Sequence, residues 1–166
     1  MLNENLLKKK VLVFGSSGLL GNQLYHYIKK DYIVYHNGLK KRKINLLKYK
    51  YIEKYIVKIK PALIINCSAI TDVDYCEKNK KRAYEVNVLV IKNIINILKK
   101  NKIECKIIQI STDQFYNNKN YFKNIESTKN YFNYYTYTKL MVEKECLKNN
   151  SIIIRTNFFG KSNSKK

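Results

Sequence analysis

Val11-Leu12-Val13-Phe14-Gly15-Ser16-Ser17-Gly18-Leu19-Leu20-Gly21 is the stretch on which the fold turns. Four apolar residues run straight into a G-x-x-G-x-x-G, and Leu20, Leu24, Tyr27 and Ile28 then recur at helical spacing over residues 18–30. A strand, a glycine turn and a helix in that order suit a pyrophosphate. Gly15 permits the tight turn, Gly18 lets backbone N–H groups approach the anion, and Gly21 lets helix pack on strand. The anion then sits at the positive end of the helix. A glycine-rich turn without a ligand competes with this reading. The position between a clear strand and a clear helix favours dinucleotide binding through Gly15, Ser17, Gly18, Leu19, Leu20 and Gly21.

Outward from this motif, strands and helices alternate. Strands are expected at 11–14, 32–35, 62–65, 106–110 and 151–155, and helices at 18–30, 49–60, 81–100 and 132–147. The second helix must end near Pro61, the only proline. Residues 117–133, rich in Asn, Lys and Tyr, read as a long irregular loop. Short strands that are apolar on both faces, separated by helices, indicate a parallel sheet covered on both sides. The expected class is α/β: a Rossmann-type doubly wound parallel sheet, one domain over residues 1–166.

Composition narrows the partners. The net charge of +21 invites a nucleic-acid reading, but Lys, Asn, Ile and Tyr supply 87 of 166 residues. All four have codons that can be built wholly from A and T, so base composition accounts for them together. Lysine outnumbers arginine 30 to 3, whereas base recognition favours arginine's planar fork. No nucleic-acid partner is expected. The chain lacks an apolar run of membrane-spanning length, and its polar lead-in does not resemble a signal peptide. The four cysteines have neither zinc nor disulfide spacing. No metal site is expected, and a reducing cytoplasm is the expected setting.

After the second strand the chain reads Tyr35-His36-Asn37-Gly38-Leu39-Lys40-Lys41-Arg42. NAD-binding folds place a carboxylate there for the ribose hydroxyls. Here none is present and three cations follow, so NADP is favoured and NAD remains the alternative. His26 and His36 have no partner at catalytic spacing.

Three further segments carry a resemblance: Asn66-Cys67-Ser68-Ala69 continuing through Thr71, Val73 and Asp74; Ser111-Thr112-Asp113; and Tyr135-Thr136-Tyr137-Thr138-Lys139-Leu140 through Glu143. Arg155-Thr156 through Gly160 adds a fourth. In order and spacing they resemble the extended short-chain dehydrogenases/reductases, most closely the dTDP-4-dehydrorhamnose reductase branch. The resemblance covers residues 10–160.

Tyr135 and Lys139, four apart on a helix, lie on one face, where an ammonium is expected to lower the tyrosine pKa. With 15 tyrosines and 30 lysines such pairs also arise by chance, and the position after Ser111-Thr112-Asp113 is what singles this one out. The resemblance implies that Tyr135 is the general acid for carbonyl reduction and that Thr112 bonds the substrate oxygen. It implies that Lys139 contacts the nicotinamide ribose, that Asn37, Cys67, Ser68 and Ala69 line the cofactor, and that Asn87 lies near the active site. Asp74 and Glu77 read as a helix capping box.

Members of this family continue for a hundred residues or more past the Arg155–Gly160 segment, building most of the sugar-nucleotide pocket. The expectation is therefore a chain whose substrate-binding C-terminal region is largely missing, either a fragment or a protein completed by a homodimer or a partner chain. The leading functional expectation is an NAD(P)H-dependent reductase, or an epimerase-type relative, acting on a nucleotide-activated sugar. The alternative is a non-catalytic dinucleotide-binding module, or an inactive fragment of such an enzyme.

Overall fold

The computed structural model describes residues 9–38, 44–115 and 132–157. Five strands, β1 (Lys10–Phe14), β2 (Ile33–His36), β3 (Leu63–Asn66), β4 (Lys106–Thr112) and β5 (Ile152–Thr156), form one sheet in the order β2-β1-β3-β4-β5. Every pairing is parallel. The chain builds outward from β1 to β2 and then crosses to the other side at β3. The reversal point between β1 and β3, at the strands' carboxyl ends, is where open α/β sheets bind ligands. The doubly wound parallel sheet expected from the alternation of elements is the fold.

Side-chain alternation explains why both faces need cover. Leu12, Phe14 and Ile64 point to one face, where they meet Ile52 and Ile56 of α2 (Tyr49–Ile59), Ile91 and Ile94 of α5 (Val90–Lys100) and Val142 of the last helix. Val11, Val13 and Ile65 point to the other, against Leu24 and Ile28 of α1 (Leu19–Ile28). Burying each of these Leu, Ile and Phe side chains contributes about 1.5–3 kcal/mol. As expected, α2 stops before Pro61; its C-cap Lys60 turns left-handed at φ 49°.

The expected helix over 81–100 is continuous but carries a π-helical turn. Residues 81–100 divide into α4 (Lys80–Tyr84), a π-helical segment (Glu85–Leu89) and α5. Before them, α3 (Val73–Lys78) is capped by Asp72, whose side chain accepts the Tyr75 N–H. The expected cap, Asp74, lies instead inside the first turn. Glu77 serves another helix: it accepts the Tyr134 N–H at the start of α6 (Tyr134–Leu147). The loop expected at 117–133 falls almost wholly outside the described residues, as do Lys40, Lys41, Arg42 and Gly160.

Candidate active site

The β1–α1 loop is shaped by contacts within the fold and left open where a ligand would need room. Gly15 has φ +76°, and a Cβ there would lie 2.6 Å from both the Cys67 carbonyl carbon and the Ser68 nitrogen. A Cβ on Gly21 would lie 2.3 Å from the Gly15 carbonyl oxygen. These two glycines let the loop press against β3 and let α1 press against the loop. Gly18 differs. Among the described residues its Cβ would meet only the Gly15 oxygen, at 3.4 Å, so none of them requires a glycine there. It is the N-cap of α1 and its backbone is extended (φ −78°, ψ 169°). Leu19, Leu20 and Gly21, the first turn of α1, have no intrahelical acceptor for their N–H groups. The space above Gly18 fits a pyrophosphate cradle, with Ser17 exposed at its rim.

Asn37 and Ser16 pin the loop to the end of β2. The Gly15 N–H donates to Asn37 Oδ1 at 2.9 Å, and the Gly38 N–H donates to Ser16 Oγ at 3.1 Å. Asn37, expected as a cofactor residue, thus commits its amide oxygen to holding the loop. His36 and His26 both stand edge-on to Tyr25.

Next to the loop, the carboxyl ends of β3 and β4 are tied by buried amides. Asn66 Nδ2 donates to Gln109 Oε1 at 2.8 Å, and Asn66 Oδ1 accepts the Ser68 N–H at 3.1 Å. Cys67, Ser68 and Ala69 follow directly, facing the glycine loop across the Gly15 contact. Desolvation pushes the Cys67 thiol up to about 11, against the opposing charge of Lys139.

Asn87 lies within the π-helical segment and is buried. Its Oδ1 accepts the Ile70 N–H at 2.7 Å, and its Nδ2 donates to the Ile70 carbonyl at 3.1 Å and to Thr138 Oγ1 at 3.0 Å. One buried amide so fastens the chain after β3 to the helix that carries Tyr135 and Lys139. Asn87→Leu leaves the Ile70 amide unpaired, and a loss of about 1–3 kcal/mol is expected. Urea unfolding should show a lower midpoint at an unchanged slope.

Thr112, Tyr135 and Lys139, expected together, are brought together, and all three are buried. A capping box between Asn133 and Thr136 fixes the start of α6 just before Tyr135. Thr112, at the end of β4, accepts the Gln114 N–H at 3.2 Å, and its side chain lies near enough to the Tyr135 phenol to act on its pKa. Lys139 Nζ donates to the Ile110 carbonyl at 2.6 Å. The expected lowering of the phenol by Lys139 is not observed. Burial raises the Tyr135 pKa above its usual value; the Thr112 side chain opposes this, and the charge of Asp113 adds to it. Lys139 itself is depressed to about 8, mainly by desolvation, with Glu143 acting to raise it. A raised phenol keeps its proton at neutral pH and is suited to donate it.

Glu143 and Arg155 form a buried ion pair between helix and strand that sequence spacing does not indicate. Arg155 Nε donates to Glu143 Oε1 at 2.9 Å and Nη2 to Oε2 at 2.7 Å. Among the described residues no group of three or more His, Cys, Asp or Glu could hold a metal, and no helix is long and apolar enough to cross a membrane.

Comparison with known proteins places this geometry in a family. The family described as the RmlD substrate binding domain matches residues 9–165. The spore coat polysaccharide biosynthesis protein SpsK of Bacillus subtilis is 32% identical over 111 residues, 66% of this chain and 38% of that protein. Methionine adenosyltransferase 2 subunit beta of Bos taurus is 28% identical over 152 residues, 88% of this chain and 45% of that one. The crystal structure of dTDP-4-dehydrorhamnose reductase from Bacillus anthracis, in complex with NADP, superposes with a TM-score of 0.76 at 26% identity, covering 89% of this chain and 53% of that one. The chain spans about half or less of the length of these relatives.

Proposed function

Because this chain belongs to the RmlD substrate-binding-domain family, we propose that it forms the dinucleotide-binding and proton-donating part of an NADP(H)-dependent reductase acting on a nucleotide-activated sugar. The observation that carries the proposal is the burial of Thr112, Tyr135 and Lys139 side by side at the carboxyl edge of the sheet, next to the open glycine loop. The resemblance to a dTDP-4-dehydrorhamnose reductase and to a polysaccharide biosynthesis protein supports the substrate class.

In this reading the N–H groups of Leu19, Leu20 and Gly21 hold the pyrophosphate, and Cys67, Ser68 and Ala69 wall the cofactor from the β3 side. NADPH, when bound, supplies the hydride. Thr112 orients the carbonyl oxygen by a hydrogen bond. Tyr135 Oη, kept protonated by its burial, donates its proton to that oxygen as negative charge develops there. Lys139 places a positive charge beside the site and bonds the ribose.

The test is NADPH oxidation on adding a 4-keto dTDP-sugar to the chain extended after Gly160 by the remaining part of a related reductase. Substrate-dependent oxidation supports the reductase. Cofactor binding without oxidation supports the second reading, a non-catalytic dinucleotide module serving a partner. The likeness to a subunit of methionine adenosyltransferase favours that second reading.

NADP is preferred over NAD in this account, since no carboxylate follows β2 and Lys40, Lys41 and Arg42 do. Replacing those three by alanine should reduce the preference for NADPH over NADH by about tenfold, the effect of losing one charge-assisted bond to the 2′-phosphate. Calorimetric affinities at moderate salt check this. Equal affinities in the unaltered chain would contradict it.

A further inference from the structure

We infer that the edge of the domain opposite the glycine loop is a docking surface for an anionic lipid bilayer. In a parallel sheet joined by helical crossovers, strands start and crossover helices end at one edge. Contacts fix that edge here. Lys10 Nζ donates to the Ile59 carbonyl at the end of α2, and Lys106 Nζ donates to the Asn150 carbonyl beyond α6. Beside them Lys29 and Lys30 follow α1, and Lys58 and Lys60 close α2. Lys99, Lys100 and Lys102 close α5, and Lys144 and Lys148 close α6. All of these lysines are exposed. The described carboxylates on this edge are Asp31, Glu104 and Glu145, and of its lysines only Lys100 and Lys148 are in ion pairs. At the glycine-loop edge, by contrast, Asp72, Asp74, Glu77 and Glu85 stand among the cations of α3 and α4, where Lys80 and Arg82 are paired. Base composition accounts for the number of lysines but not for their separation from the acids.

Three features favour a bilayer over other polyanions. The charge is carried by lysine, a point charge; among the described residues no arginine, with its phosphate-matching fork, stands on this edge. Apolar side chains project beside the lysines: Tyr27, in the last turn of α1, is 73% exposed, and Leu147, the last residue of α6, is 67% exposed. Such groups enter the headgroup layer of a membrane, where nearby lysines add electrostatic attraction to anionic lipid. Between Lys99 and Lys102 there also opens a cavity of about 350 Å³ floored by Ile95, Leu98, Ile103 and Ile107. An apolar recess rimmed by cations fits an acyl chain beneath an anionic headgroup, whereas a sugar–phosphate backbone would leave it empty. Docked by this edge, the domain turns its glycine loop, and Thr112, Tyr135 and Lys139 with it, toward the aqueous side.

The experiment is cosedimentation of the 166-residue chain with phosphatidylcholine vesicles, with and without about 30% phosphatidylserine, at about 0.1 M salt. Binding is expected to the anionic vesicles alone. Lys99→Gln/Lys102→Gln should weaken it by about 25-fold, at about fivefold per lysine. Lys48→Gln/Lys50→Gln removes the same charge from the opposite edge and should weaken it by less than about threefold. Tyr27→Ser/Leu147→Ser, which changes no charge, should weaken it by at least about threefold through lost apolar insertion. The side chains altered are exposed, so the variants should keep the fold, and melting temperatures check that they do. Absence of binding to the anionic vesicles, or equal losses in the two lysine pairs, would overturn the inference. So would binding to a short DNA duplex in preference to the vesicles at the same salt, which would make the edge a nucleic-acid surface. No cofactor or turnover enters the test, so its failure and a failed reductase assay are told apart.

Discussion

Tyr135→Phe should lower turnover by about 10²–10⁴-fold, the range of a single positioned proton donor, and change NADPH affinity by less than about twofold. Only one atom is lost. The ring stays in its buried place beside Cys76 and Ala83, and Thr112 keeps the Gln114 N–H. Because the proton moves only as the carbonyl is reduced, kcat and kcat/KM should fall together, with little change in KM. The measurement uses the form extended after Gly160, because the chain spans about half or less of the length of the relatives it matches. Unchanged turnover in that form would remove Tyr135 from the mechanism.

Gly18→Leu should abolish dinucleotide binding, by more than about a hundredfold, while leaving the fold intact. Three observations combine here. The backbone at Gly18 is extended and open to any residue, its Cβ direction is free of close contacts, and the space it would fill lies at the first turn of α1. A leucine side chain would occupy the place where backbone N–H groups approach the pyrophosphate. Gly15→Ala and Gly21→Ala serve as the contrast. The first forces a left-handed residue against Cys67 and Ser68, and the second drives a methyl into the Gly15 carbonyl, so both should lower the melting temperature. If Gly18→Leu binds NADPH as well as the unaltered chain, the loop is a turn without a ligand.

The sheet and its strand boundaries were legible in the sequence because each strand is a short apolar run closed by glycine, proline or polar residues. The glycine loop was legible for the same local reason. What was not legible depends on contacts between distant segments. The tie from Asn87 in the π-helical segment back to Ile70 spans 17 residues of chain. The helix cap was misplaced because Asp72 and Asp74 both suit a helix start, and only the backbone, extended at Asp72, decides between them. Spacing put Tyr135 and Lys139 on one face, but a lysine stem is long enough to pass its neighbour. The ammonium goes to Ile110, and burial rather than Lys139 sets the phenol. Glu143 and Arg155 stand in separate motifs of the sequence. Their bond crosses from helix to strand, and no local pattern announces it.

Calorimetric titration of the 166-residue chain with NADPH tests the central claim most directly, since every role given to Thr112, Tyr135 and Lys139 presupposes a cofactor on the glycine loop. Saturable binding is expected, and it should disappear in Gly18→Leu at an unchanged melting temperature. Folded, unaltered protein that takes up neither NADPH nor NADH at about millimolar concentration, far weaker than a working cofactor site requires, would contradict it.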